Sequence, residues 1–190
     1  MYSRLIVTVI SFSLVFFIPM LLAEQTVKAG QPATPSIKMR DAKAFFDESF
    51  DDFQQELGVA VEDQKKAVLI MYEMDECPFC GRMKATVLNR SDIQDFFHKH
   101  FRVLAVDIEG DVEMTDFQGK ATTQKAFSLK NRVRATPVFQ FFGLDGKPLK
   151  NGRLTGATKN AEEFMLFGKY IVDGENEKQS FFQYKRMQKQ

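Results

Sequence analysis

Ala67-Val68-Leu69-Ile70-Met71-Tyr72-Glu73-Met74-Asp75-Glu76-Cys77-Pro78-Phe79-Cys80-Gly81-Arg82 is the stretch from which the fold of this chain is read. Its first six residues have the length and composition of a buried strand. Pro78 suits the first turn of a following helix, where its missing N–H costs little. Cys77 and Cys80, the only cysteines in the chain, therefore fall on a strand-to-helix turn. A thiol at a helix N-terminus meets unpaired backbone N–H groups and the positive end of the helix dipole, which favour the thiolate. The thiolate is the species that attacks disulfides.

Three interpretations of the pair compete. As a structural staple, the bridge would close too short a loop to remove much unfolded-state entropy, and small secreted scaffolds normally carry several bridges. As half of a zinc site it would need two further ligands, and the only histidines, His98 and His100, have the wrong spacing. As a redox pair it needs only what the turn supplies.

Working outward, 190 residues that are 44% hydrophobic, with 20 Phe and no Trp, suffice for one domain with a substantial core. With 26 Lys+Arg against 25 Asp+Glu the charge is nearly balanced, so composition offers no electrostatic footprint for nucleic acid and little steering toward acidic partners. Met1-Tyr2-Ser3-Arg4 precedes an apolar stretch from Leu5 to Leu22, broken by Thr8, Ser11, Ser13 and Pro19. This reads as a signal peptide with cleavage near Ala23, the alternative being an uncleaved anchor, since the stretch approaches the ~20 residues that span a bilayer. Either way the domain would face an oxidising compartment. A tether with Gly30, Pro32 and Pro35 follows.

Helical spacing of Ala44, Phe45, Phe46, Phe50, Phe53 and Leu57 predicts one core-facing helix over residues 40–57, stopped by Gly58. The helix after the cysteines should turn Met83, Val87 and Leu88 inward and Arg82 and Lys84 toward solvent. Ser91 or Asp92 is expected to cap a second helical segment with Ile93, Phe96 and Phe97. Residues 101–108 alternate into a second buried strand, and the α, β, α, β order implies parallel pairing through a helical crossover. Residues 110–123 read as a polar insertion with a short hairpin, and 123–131 as a helix. Residues 133–142 read as a strand with Pro137 at its entrance. The turn at Leu144-Asp145-Gly146-Lys147 leads to a strand over 148–154, with a helix over 160–170 and a last short helix in the tail.

This arrangement, with Cys77-Pro78-Phe79-Cys80 in the first half and Thr136-Pro137 opening the second, resembles the thioredoxin fold. The resemblance implies an α/β protein, a three-layer α/β/α sandwich around a central mixed sheet of four to five strands. It divides the chain into a signal peptide or anchor (1–23), a flexible linker (24–39), the thioredoxin-like domain (40–175) and a C-terminal helical extension (176–190). It also implies that Pro137 is cis and packs beside the disulfide. A narrower resemblance is to exported thioredoxin-like proteins of the SoxW type, carried by the phrase from Leu69 to Met83, by Gly110-Asp111 and Thr115-Asp116-Phe117-Gln118-Gly119, and by the aromatic C-terminal extension.

In the mechanism so implied, Cys77, exposed at the helix start, attacks a partner's disulfide, and Cys80 resolves the mixed disulfide. Pro78 and Phe79 tune the pair, while Ala135 and Thr136 offer backbone for an extended stretch of the partner. Where thioredoxins carry a buried acid, six residues before the first cysteine, this chain has Met71; of the nearby carboxylates Glu73, Asp75 and Glu76, Glu73 is the candidate proton acceptor. No cofactor beyond the Cys77–Cys80 pair and no metal is expected. The expected activity is that of an exported thiol:disulfide oxidoreductase, a periplasmic monomer, free or tethered to the inner membrane. It would reduce disulfide-bearing exported proteins and be recharged by a membrane electron donor of the DsbD or CcdA type. An oxidase or isomerase, or a non-catalytic binding domain, are the alternatives.

Overall fold

The computed structural model describes residues 37–188. The expected signal peptide over 1–23, and all of the expected linker but its last three residues, lie outside the described residues. Of those three, Lys38 and Met39 already pair with the domain: the Ser91 backbone N–H donates to the Lys38 carbonyl at 2.8 Å, and Met39 bridges Arg90.

The apolar run forms strand β1, Ala67–Glu73, buried from its first residue to Tyr72. It lies between β2 (Phe101–Asp107), which it pairs in parallel, and β5 (Val138–Phe142), antiparallel; β6 (Pro148–Thr155) completes a mixed sheet in the order β2-β1-β5-β6. Alternation along β1 divides the interior. Leu69 and Met71 join one core with both cysteines and with side chains of α2 (Pro78–Met83), α3 (Ser91–His100), α5 (Ala161–Val172) and α6 (Phe181–Met187). Val68, Ile70 and Tyr72 join the other, with Phe53 and Ala60 of α1 (Phe53–Glu62) and Phe127 of α4 (Gln124–Lys130). The result is a three-layer α/β/α sandwich, with cores dominated by phenylalanine rings; each such ring fully buried contributes about 1.5–3 kcal/mol of transfer free energy. The 110–123 insertion holds a two-stranded hairpin, β3 (Glu113–Thr115) and β4 (Ala121–Thr123), turning through Gly119 at φ 74°.

Five local expectations are corrected. The single helix over 40–57 is instead a 3-10 turn, Ala42–Phe45, an extended passage, and α1. Asp47 breaks it: its N–H donates to the Val103 carbonyl at 2.8 Å and its carboxylate accepts from the Val103 N–H at 2.7 Å, so the passage covers part of the outer edge of β2. Asp52 then caps α1, accepting from the Gln55 N–H at 3.0 Å. Phe50 is thereby left 97% exposed rather than in the core, and Gly58 sits inside α1, which runs on to Glu62. Neither Ser91 nor Asp92 caps α3. Arg90 occupies the cap position, Ser91 Oγ accepts from the Lys38 N–H, and Asp92 pairs with the Arg90 guanidinium. The strand expected over 133–142 begins only at Val138, because Pro137 has no N–H to give a ladder. The other two concern Cys77 and Lys84 and belong to the site.

Candidate redox site

β1 ends at Glu73, and a short turn brings the chain to Cys77, which caps α2 with extended backbone (φ −101°, ψ 100°). Its Sγ accepts a hydrogen bond from the Cys80 N–H at 3.1 Å, one of the donors a helix start leaves unsatisfied, and Pro78 occupies the first helical position. Cys77 and Cys80 are joined as a disulfide with their Cα atoms 5.2 Å apart. Cys77 is only 8% exposed and Cys80 3%, so the first cysteine is far less open than expected. Part of the cause is local: as the cap, its sulfur folds back over the first turn of α2. Phe79, between the cysteines, is 57% exposed, with the Arg82 guanidinium 5.6 Å from its ring centroid.

After six residues α2 passes into a π-helical turn, Lys84–Leu88. Met83, Val87 and Leu88 point inward as expected, but Lys84 does not simply face solvent. Its Nζ pairs with Glu73 Oε2 at 2.6 Å. Both side chains line a cleft of about 230 Å³ with Met74, Asp75, Cys77, Cys80, Gly81 and Asp107. Met71 is fully buried in the same core as the cysteines, opposite Ala105 of β2, so no ionisable side chain stands at that level of β1 or β2. Glu73, one step further along the same strand face, is the carboxylate of β1 that reaches the cleft.

Ala135, Thr136 and Pro137 do not line this cleft. They stand at the same end of the sheet, just before the neighbouring strand β5, since Val138 pairs with Tyr72, the residue before Glu73. The Thr136–Pro137 peptide bond is cis, and the Pro137 carbonyl accepts from the Gly156 N–H at 2.8 Å. Pro137 is buried, Thr136 half-buried and Ala135 exposed, and no backbone hydrogen bond within the described residues engages the N–H of Ala135 or Thr136. Asp107 is the cleft residue that sequence reasoning missed; the parallel register of β1 with β2, which sets it opposite Glu73, is the only signal that could have found it. Of the histidines, His98 Nε2 lies 3.0 Å from the Phe45 carbonyl, and the His100 ring packs on Phe96. Among the described residues no group of three or more His, Cys, Asp or Glu is arranged to hold a metal.

The profile of the thioredoxin-like domain family matches residues 53–171. None of the curated proteins searched matches. Among solved structures, a thioredoxin-fold protein from Helicobacter pylori superposes with a TM-score of 0.56 at 19% identity, over 72% of this chain and 81% of its own. A DsbH oxidoreductase gives 0.53 at 16% identity, over 76% and 92%. A thioredoxin from Thermus thermophilus gives 0.50 at 20%, over 64% and 84%. At these identities the likeness is one of fold.

Proposed function

This chain belongs to the thioredoxin-like domain family, and from that premise we propose that it is an exported thiol:disulfide oxidoreductase, of the SoxW type, that reduces disulfides of periplasmic partner proteins. The observation that carries the proposal is the Cys77–Cys80 disulfide at the start of α2, at the sheet end where the chain also presents Ala135, Thr136 and Pro137.

In the reduced protein, the Cys77 thiolate attacks a partner's disulfide. A mixed disulfide forms and one partner sulfur leaves as a thiolate. The unpaired backbone at Ala135 and Thr136 takes an extended segment of the partner as an added strand, holding its sulfur against Cys77. Cys80, one helical turn inward, gives its proton to the Glu73 carboxylate and attacks Cys77 Sγ. The Cys77–Cys80 bond forms, and the second partner sulfur leaves with the electron pair. Two electrons have passed to the partner, and a membrane donor of the DsbD or CcdA type returns them. The Cys77–Cys80 pair is the whole redox apparatus in this scheme, with no further cofactor.

Replacing the resolving thiol tests it. A Cys80→Ser protein expressed with its export signal should accumulate mixed disulfides with periplasmic proteins through Cys77, seen as dithiothreitol-sensitive bands on non-reducing gels. Absence of such adducts, with the protein folded and exported, would leave the non-catalytic binding domain as the better account.

A further inference from the structure

Lys84 follows Cys80 by four residues, and side chains so spaced on a helix lie on one face. Its ammonium is 2.6 Å from the Glu73 carboxylate, and both line the cleft that reaches the two sulfurs. Lys84 is fixed on a second side by Phe46, whose ring centroid lies 5.9 Å from Nζ. The pair is partly withdrawn from water, with the Lys84 side chain 39% and the Glu73 side chain 19% exposed, so it is less screened than a surface pair.

The other charges around Cys80 make this lysine decisive. β1 contributes Glu73, the turn contributes Asp75, and the end of β2 contributes Asp107, all carboxylates on the cleft. β5 and α5 contribute the uncharged Phe139 and Phe164 to the shared core. Arg82, on the same helix, is turned to the Phe79 ring and the Thr158 carbonyl. Lys84 is therefore the one cation among the cleft-lining residues. Three negative groups disfavour a thiolate at Cys80, and one positive group offsets them.

We infer that Lys84 is a positioning residue for the resolving step: it holds the Glu73 carboxylate at the wall of the cleft and offsets the surrounding negative charge, so that Cys80 can lose its proton and attack. The inference deepens the proposed function and rests on it. In the step itself the Cys80 proton passes to a Glu73 oxygen, the Cys80–Cys77 bond forms, and the Cys77–partner bond breaks with its electron pair leaving on the partner sulfur. Lys84 makes and breaks no covalent bond.

The test reads the Cys80 thiol directly, by NMR titration of the reduced full domain labelled with 13Cβ-cysteine. Lys84→Met should move the Cys80 midpoint up by about one pH unit, about tenfold less thiolate at a fixed pH below the midpoints. Lys84→Arg, which keeps the charge, should return it close to wild type. Should Lys84→Met fail to fold, Lys84→Gln carries the same prediction. A midpoint unmoved in a folded variant whose disulfide still forms, or one raised equally by Lys84→Arg, would overturn the inference. Failure of the underlying function shows separately, as a reduced wild-type protein that transfers no electrons to insulin disulfides in a single turnover, whatever its titration.

Discussion

Cys77 is defined by what its sulfur accepts. As cap of α2 it takes the Cys80 N–H at 3.1 Å, and a hydrogen bond to the charged form stabilises that form. In the reduced protein the Cys77 pKa should therefore lie below the ~8.5 of a free cysteine. Alkylation by iodoacetamide should reach its plateau by about pH 8 on that basis, while a rate still climbing beyond pH 9 would count against the cap's role. That the two cysteines begin a helix was legible in the sequence, because Pro78 and the apolar run before Cys77 are strong local signals. Their near-complete cover was not, because it follows from the folded-back cap and from the cleft walls, which come from β1, β2 and α2 together. Glu73 was legible as one of three carboxylates just before the cysteines, whereas its tie to Lys84 required the geometry. The i, i+4 spacing from Cys80 to Lys84 was in the sequence, but spacing names a shared face and not a partner.

Among the elements, those with uninterrupted apolar runs or clear caps were readable, and those where two signals conflict were not. The phenylalanines over 40–57 keep helical spacing, yet Asp47 and Asp52 bind backbone groups and divide the stretch. Short polar side chains compete with helix in this way when a tertiary partner is at hand. Helix α5 was foreseen to within two residues at its C-terminal end, whereas the role of Asn160 as its cap, accepting from the Glu163 N–H at 3.0 Å, was not. Its close packing on α3 was not foreseen. It depends on Gly168, where an added Cβ would stand 2.7 Å from Phe96 Cε1 and 2.9 Å from Phe97 Cζ. Those rings cannot easily retreat, since Phe97 stacks on Phe164 at 4.6 Å. Gly168→Ala should accordingly destabilise the domain by about 1–3 kcal/mol through overpacking, offset in part by the helix propensity that alanine gains. Urea unfolding measures it, and a variant more stable than wild type would show that α3 and α5 yield there.

For the molecule as a whole, the sheet serves two cores and one chemistry. Tyr72 and the other side chains facing α1 and α4 seal one face with apolar packing, while the opposite face carries Met71, Glu73 and the disulfide on a rigid support. Because β1 is central and β5 pairs with it, the cysteine turn and the Thr136–Pro137 segment come to the same end of the sheet although some sixty residues separate them in the chain. That shared sheet end was legible from the order of the motifs once the resemblance was drawn. The direction of electron flow is an equilibrium property, so the most direct test of the account is the reduction potential of the Cys77–Cys80 pair, measured by equilibrating the purified domain with dithiol and glutathione buffers and quantifying the reduced fraction. A periplasmic reductase predicts a value near thioredoxin's, about −270 mV, whereas a value near DsbA's, about −120 mV, would make the protein an oxidant and contradict the account.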